Sequence, residues 1–250
     1  EQYFSDDRLQ DYVLYNVRYV VTPADLPKDQ IRAFWKPLAA SKTWKLYEVT
    51  TTGYITSGVR PAIVSVDKEN FTNLGHLWIQ SDFPEKKLFP ELTFDRDYPK
   101  KSGLPNFKMI DEVTYITPSG GIQNLFADTP HYIASQKCNA ADNVTVLSEQ
   151  SQSDMIFQAR VEAKQDCPNS LVVLRQTYHP SWTATVDRKP AATFAVFPFY
   201  TAVKVDTAGT HDIVFTYRSS RMKLLLLSLS ILSVIGYAYL SKISTKRCTQ

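Results

Sequence analysis

The chain has 250 residues, with 28 Lys and Arg against 25 Asp and Glu, so its formal charge is +3. This balance excludes a protein whose main role is binding nucleic-acid phosphate. A content of 44% hydrophobic and 21% charged residues excludes both a disordered and a wholly membrane-embedded chain. The eight glycines form neither G-x-G-x-x-G nor G-x-x-x-x-G-K, which excludes a Rossmann dinucleotide site and a P-loop. Because residue 1 is Glu1 rather than Met, we expect a processed product or a fragment of a longer protein.

Residues 1–66 predict a small α/β unit. The runs 17–21 and 44–49 are rich in β-branched and aromatic residues and predict strands, as does the shorter run 62–66. Pro27 suits the first turn of a helix, and apolar residues follow it at i, i+3, i+4 and i+7. This spacing predicts a helix between the first two strands. The residues of the helical stripe are Ile31, Phe34, Trp35 and Leu38.

Residues 67–130 predict a loop-rich insertion, because prolines interrupt every periodic pattern there. One hairpin is predicted within it, with strands over 113–116 and 122–126 on either side of Gly120 and Gly121.

Residues 131–218 predict an antiparallel β-sandwich. Apolar and polar residues alternate over 155–163, as in a strand with one buried face. About seven short strands separated by turns are typical of such a sandwich. The predicted fold class is therefore mainly β (α+β): an antiparallel β-sandwich with a small N-terminal strand–helix–strand unit and one C-terminal transmembrane helix. The predicted strands are 144–147, 155–163, 171–178, 182–186, 193–197, 200–205 and 211–217.

Residues 222–241 predict the transmembrane helix, because the run 224–240 is apolar and uncharged. At 1.5 Å per residue the run spans about 25 Å, the short end of a membrane-crossing helix. Its serines can hydrogen-bond to the preceding turn, which makes them tolerable in lipid. A buried core helix is the weaker alternative, since the run is apolar on all sides and a basic tail over 242–250 follows it. Basic residues are equally frequent on both sides, so the positive-inside rule leaves the orientation open.

Two cysteines lie before this helix and one lies after it. Cys138 and Cys167 either form a disulfide in an oxidising compartment or remain two free thiols. Cys248 lies in the tail. A pair before the helix is consistent with a large domain outside the cell and a cytoplasmic tail.

A family resemblance rests on the stretch 178–217, which reads YHPSWTATVDRKPAATFAVFPFYTAVKVDTAGTHDIVFTY. It resembles the C-terminal extracytoplasmic module of YfhO-like bacterial membrane proteins and of related GT-C-type glycosyltransferases. Arg188 stands where that family usually has Gly. The residues that fit the family pattern are Tyr178, Pro180, Trp182, Val186, Asp187, Val205, Ala208, Gly209, His211, Val214, Phe215 and Tyr217.

The beginning of the chain resembles the same module. The run 16–21 is similar to the family's opening strand, and 44–48 is similar to the strand that precedes an "lPRa" segment. That segment occurs here, with its order changed, as 59–62. The resemblance covers residues 8–66 and 143–240.

The resemblance implies a function. GT-C-type enzymes take a sugar from a lipid-phosphate carrier at the outer membrane face, with catalytic carboxylates in an early loop that this chain lacks. The chain would then be a non-catalytic module plus the last membrane helix of a polytopic enzyme in the plasma or inner membrane. Its partners would be the lipid bilayer, the remaining transmembrane bundle and a glycan or lipid-linked sugar, with no nucleic acid. The alternative is a single-pass, membrane-anchored β-sandwich that binds a glycan or a protein partner without catalysis.

No catalytic, cofactor or metal site is predicted. The best-placed carboxylate pair, Asp95 and Asp97, has Arg96 between its members and no apolar surroundings, so we interpret it as a solvated loop. We therefore expect the chain alone to lack glycosyltransferase activity. The histidines lack zinc-ligand spacing. They are His76, His131, His179 and His211.

Tyr178 and Trp182 have two interpretations. Their rings could stack on a sugar. Trp182 also shares a strand face with Ala184 and Val186, however, which favours a place in the sandwich core.

Overall fold

The computed structural model describes residues 4–65, 71–93, 107–110, 113–116, 142–218 and 226–237. The chain divides into two units, residues 1–216 and 217–250. The first unit is mainly β, with three sheets and two α-helices among the described residues, which confirms the mainly β part of the predicted fold class.

The elements follow one another in this order. The first part comprises α1 (Leu9–Tyr15), β1 (Tyr19–Pro23), a short 3-10 helix (Lys28–Gln30), β2 (Lys36–Ala40), β3 (Trp44–Glu48), β4 (Ile55–Val59), β5 (Ala62–Ser65), α2 (Phe71–Gln80), β6 (Glu91–Thr93), β7 (Phe107–Ile110) and β8 (Val113–Ile116). The second comprises β9 (Val144–Ser153), β10 (Ile156–Ala163), β11 (Ser170–Thr177), β12 (Trp182–Val186), β13 (Lys189–Ala191), β14 (Phe194–Val196), β15 (Tyr200–Lys204), β16 (Gly209–Tyr217) and a helix α3 over 226–237.

A three-stranded antiparallel sheet, β1-β3-β2, replaces the predicted strand–helix–strand unit. The predicted helix through Ile31, Phe34, Trp35 and Leu38 is wrong, because the chain forms only a 3-10 turn there and then enters β2. Pro37 is the physical reason. It lacks the N–H that a helix interior requires and pushes the preceding residue towards extended backbone.

Aromatic residues of that segment instead pack in a cluster between the three-stranded sheet and α1. Trp35 is buried with Tyr12, Tyr47 and Val49, and Phe34 packs against this cluster. The Tyr12 and Phe34 rings meet edge to face, 5.2 Å between centroids. The aromatic side chains thus fasten the inner face of the three-stranded sheet to α1.

A five-stranded sheet has the order β13-β12-β16-β10-β9. Its central strand β10 pairs antiparallel with both β16 and β9. The period-2 prediction for this strand is confirmed, since Phe157, Ala159, Val161 and Ala163 are buried and the residues between them are more exposed.

An eight-stranded mixed sheet has the order β4-β11-β15-β14-β6-β5-β8-β7. It pairs strands distant in sequence, since β4 lies antiparallel to β11 and β6 lies antiparallel to β14. The predicted boundaries near residues 66 and 131 therefore cut across one sheet. The strand predicted over 113–116 is present as β8, but it pairs with β7, and its predicted partner over 122–126 lies outside the described residues.

The main core lies against the eight-stranded sheet. Helix α2 within the predicted loop-rich insertion contributes Trp78, which is fully buried with Phe89 and Phe197. The Trp78 indole N–H donates to the Leu88 carbonyl at 2.9 Å. Sequence reasoning missed this helix because Gly75 and its polar neighbours have low helix propensity, and burial of Trp78 compensates.

Tyr200 connects helix α1 to the eight-stranded sheet. Its hydroxyl donates to the Leu14 carbonyl at 2.8 Å, and burial raises the pKa of Tyr200. The phenol therefore stays protonated and keeps this hydrogen bond over the physiological pH range.

The second unit contributes helix α3 to the described part of the chain. Every described side chain of α3 is exposed, and its apolar residues are between 51% and 77% accessible. Ser233 donates to the Leu229 carbonyl at 2.8 Å, the back-bond predicted for the serines of this run. Among the residues described, none of the helices reaches the combined length and hydropathy of a membrane span.

Candidate functional site

A cleft of about 1020 Å³ lies between the edge strands of two sheets. Strand β4 is the edge of the eight-stranded sheet and β9 is the edge of the five-stranded sheet. Helix α1 also lines this space, which we call the edge cleft. Its apolar lining includes Leu9, Val13, Ile55, Val144 and Val146.

Glu149 closes one part of the edge cleft. Its two carboxylate oxygens accept from the backbone N–H groups of Tyr54 at 2.7 Å and of Ile55 at 3.0 Å. Gly53 has φ +85°, and a Cβ there would lie 2.5 Å from the Glu149 carboxylate. Only glycine satisfies both conditions, so the loop before β4 is shaped around this carboxylate.

Arg175 supports the same loop from the eight-stranded sheet. Its guanidinium donates to Thr52 Oγ1 at 2.8 Å and to the Gly53 carbonyl at 2.9 Å. Burial lowers the pKa of Arg175 from its ordinary value. Its Nε atom is buried without a hydrogen-bond partner. Arg175 and Glu149 thus hold the loop before β4 from two sides.

Backbone N–H groups along β4 point alternately towards β11 and away from it, which places another hydrogen-bond donor at the cleft. Ile55 donates its N–H away from β11, to Glu149, and Val59 donates its N–H to the Lys87 carbonyl. Ser57 lies two residues from Ile55 and two from Val59 along β4, so its N–H points in the same direction as theirs, away from β11. Ser57 also lines the cleft. The edge cleft therefore offers polar backbone groups next to apolar side chains, as ligand pockets commonly do.

Asp187 and His211 form a second polar site. His211 Nδ1 lies 2.7 Å from Asp187 Oδ2, and His211 Nε2 lies 2.9 Å from the Thr207 carbonyl. Asp187 Oδ1 also accepts from the Asp212 backbone N–H at 3.0 Å. Both ring nitrogens face acceptors, so the protonated imidazole satisfies the site best.

The turn that contains Asp187 has a left-handed backbone. Asp187 and Arg188 have φ values of 51° and 66°. Glycine adopts this left-handed conformation at no steric cost, whereas arginine does not. Arg188 therefore occupies a position where the backbone itself favours glycine.

These contacts predict a pH dependence of stability. Burial alone would lower the pKa of His211, but hydrogen bonds to Asp187 and the Thr207 carbonyl outweigh it and raise the pKa. The hydrogen bond from His211 lowers the pKa of Asp187. The His211 contribution is thus complete below its unfolded pKa of about 6.5 and is lost as pH rises through the raised value. The Asp187 contribution is present above about pH 4 and is lost as pH falls.

Urea unfolding between pH 4 and 9 measures this effect. We expect His211→Gln to remove the loss of stability on the alkaline side of pH 6.5. The matched control is His179→Gln, because His179 is exposed and its Nδ1 accepts the Ser181 N–H in a local turn. An unchanged pH profile in His211→Gln would contradict the assignment.

The residues predicted for sugar stacking lie in different surroundings. Trp182 is only 6% exposed, packs 6.0 Å from Phe157 and donates its indole N–H to the Thr177 carbonyl. Tyr178 is half-buried and meets Phe199 edge to face. Trp182 is therefore buried, as expected for a residue of the core. The Trp182 and Tyr178 rings do not together form an exposed surface on which a sugar could stack.

The remaining candidate residues lie partly outside the described chain. Cys167 is fully buried and disulfide-bonded. Cys138, its predicted partner, and the carboxylates Asp95 and Asp97 lie outside the described residues. Within the ranges that the structure describes, no three His, Cys, Asp or Glu side chains converge as metal ligands would.

Sequence reasoning missed the edge cleft, because its polar members come from three distant parts of the chain. Comparisons of the chain with protein-family models, with curated proteins and with solved structures gave no match, so the YfhO-like and GT-C-type resemblance stays a prediction.

Proposed function

We propose that the chain is the non-catalytic extracytoplasmic module and last membrane helix of a polytopic GT-C-like glycosyltransferase that uses a lipid-phosphate-linked sugar. The observation that carries this proposal is helix α3. It presents leucine, isoleucine and valine on every side, and all of these side chains are exposed. An amphipathic helix of a water-soluble domain would have a polar face instead.

An apolar environment removes the free-energy cost of this exposure. Burying a leucine-sized side chain is worth about 1.5–3 kcal/mol, so a fully apolar helix gains most when lipid or other apolar helices surround it. We propose that the helix extends over 222–241, which at 1.5 Å per residue gives about 30 Å, the hydrocarbon thickness of a bilayer.

The charged groups of the first unit support a non-catalytic role. The best-enclosed carboxylates among the described residues already have structural partners: Asp11 accepts the Ser5 N–H, Glu149 accepts two backbone N–H groups, and Glu91 pairs with Arg60. A general base must instead face the proton that it removes. We propose that the module caps the extracytoplasmic face of the missing bundle and helps to shape the acceptor entrance.

The edge cleft favours a second candidate function. In this alternative the five-stranded and eight-stranded sheets form a sandwich with a single membrane anchor, and the cleft binds a glycan or a protein partner without catalysis. The sequence upstream of Glu1 discriminates between the two. Ten or more hydrophobic segments would support the polytopic enzyme, whereas a signal peptide immediately before Glu1 would support the anchored binding protein.

Vesicle flotation tests the membrane helix. We expect the full chain to float with phospholipid vesicles and to resist alkaline carbonate. In the double variant Leu229→Arg/Leu232→Arg, each charge costs about 3 kcal/mol at the centre of a bilayer, so flotation is expected to be lost. The control variant Leu147→Arg/Met155→Arg places the same charges on exposed apolar residues of β9 and its turn, and it should float. Equal flotation of all three chains, or of none, would refute the membrane helix.

A further inference from the structure

The outer face of the three-stranded sheet is apolar and uncovered in the described part of the chain. Residues directly opposite one another share a sheet face, and the register pairs Val21 with Leu46 and Pro23 with Trp44. Ala39 lies opposite Leu46 on the other side, and Leu38 sits at the adjacent bulge. We call this set, together with Tyr19, the outer face.

The apolar and aromatic side chains of the outer face are largely exposed. Val21 is 67% exposed, Leu38 55%, Tyr19 52% and Trp44 40%. The opposite face of the same sheet packs against α1 through Tyr47 and its aromatic cluster. A sheet with one buried face normally presents polar side chains to water, so a contiguous apolar outer face indicates a binding surface.

The charges around the outer face are mainly positive. Lys36 and Lys42 are exposed, at one end of β2 and in the turn to β3. Glu48 is the acidic residue of the face, and Arg18 pairs with it at 2.8 Å. The Arg18 guanidinium also lies 5.3 Å from the Tyr19 ring centroid. Lys36 lies opposite Glu48 in the register and donates to Thr50 Oγ1 at 3.1 Å. The surface therefore combines apolar and aromatic groups with exposed lysines.

We propose that the outer face binds the surface of an anionic lipid bilayer. Tryptophan and tyrosine favour the interface between headgroups and acyl chains. Val21 and Leu38 would enter the acyl boundary, while Lys36 and Lys42 meet lipid phosphates. This inference rests on the proposed function in one respect, since a membrane-inserted α3 keeps the face at a high local concentration near lipid.

Tryptophan fluorescence tests the proposal. Of the four tryptophans Trp44 alone is exposed, whereas Trp35, Trp78 and Trp182 are buried. The full chain is reconstituted in vesicles that contain anionic phospholipids with brominated acyl chains. We expect bromolipid to quench Trp44 and the vesicle to protect it from aqueous acrylamide. Trp44→Phe should remove the quenched signal, which assigns it.

Matched variants separate the outer face from the membrane helix. We expect Val21→Asp/Leu38→Asp to lose the bromolipid quenching but to float normally. Leu147→Asp, an equally exposed leucine on another sheet, should keep the quenching. Far-UV and near-UV circular dichroism checks that each variant is folded.

The outcomes are distinct. Flotation without quenching of Trp44 overturns the lipid-binding face and leaves the membrane helix intact, whereas failure to float overturns the proposed function first. Equal quenching in neutral and anionic vesicles contradicts the role of the lysines. Protection of Trp44 in detergent, accompanied by a dimeric mass, would mean that a second copy covers the face instead of lipid.

Discussion

Glu91→Gln is expected to destabilise the first unit by about 3 kcal/mol, because it leaves Arg60 buried without its counter-charge. Arg60 Nη1 lies 2.6 Å from Glu91 Oε2, and the Arg60 side chain is only 4% exposed. Arg60 Nη2 also donates to Asn169 Oδ1 at 3.3 Å, while its Nε has no hydrogen-bond partner. The pair joins the end of β4 to β6, so its loss weakens contacts within the eight-stranded sheet.

Chemical unfolding of the full chain in mild detergent measures this loss. The double variant Arg60→Met/Glu91→Leu removes both charges and should recover most of the stability, as replacements of buried ion pairs often do. Arg160→Gln provides the control. It breaks the exposed pair of Arg160 with Asp212, 57% and 61% accessible, and should cost no more than about 1 kcal/mol. A Glu91→Gln loss as small as that of the control would contradict the buried-pair assignment.

Trp78→Ala is expected to cost about 3–5 kcal/mol, the range for removing a large aromatic side chain from a core. Trp78 is fully buried, 5.7 Å from Phe89 and 6.1 Å from Phe197 between ring centroids. Its removal leaves a cavity between α2 and the eight-stranded sheet and leaves the Leu88 carbonyl without its donor.

Two further variants help to interpret the stability lost in Trp78→Ala. Trp78→Phe retains most of the volume, so its cost reports mainly the hydrogen bond to Leu88, about 1–3 kcal/mol. Trp44→Ala truncates an exposed tryptophan and should change the unfolding free energy by about 0.5 kcal/mol or less. If Trp78→Ala were as mild as Trp44→Ala, α2 would not belong to the folded core.

The strands of the C-terminal half were readable from the sequence because their periodicity is local. Over 156–163 a single alternation distinguishes the buried from the exposed face, and the structure confirms it. The assignment of strands to sheets was not readable. β10 and β11 follow each other in sequence but lie in different sheets, and nothing in a single strand's alternation specifies its partner.

The wrongly predicted helix near residue 35 and the missed helix α2 also have specific causes. The spacing of Ile31, Phe34, Trp35 and Leu38 matched a helix, but Pro37 and the aromatic packing around Tyr12 override that local pattern. Helix α2 lacked strong propensity and depends on tertiary burial of Trp78.

The polar sites were hidden for a different reason. Asp187 and His211 are 24 residues apart, and they meet because the fold brings β16 next to the turn between β12 and β13. The edge cleft joins Thr52, Glu149 and Arg175, which no sequence spacing connects. The one local signal was Gly53, since a glycine immediately before a strand marks a position where backbone and side chain approach closely.

The sidedness of the chain in intact cells tests the proposed membrane topology most directly. If the module is extracytoplasmic, a membrane-impermeant thiol reagent labels a cysteine introduced at the exposed Met155 without permeabilisation. Cys248 is then labelled only after permeabilisation, with Cys248→Ser as the matched background. Ready labelling of Cys248 in intact cells, or labelling of both positions only after lysis, would contradict an extracytoplasmic module anchored by the C-terminal helix.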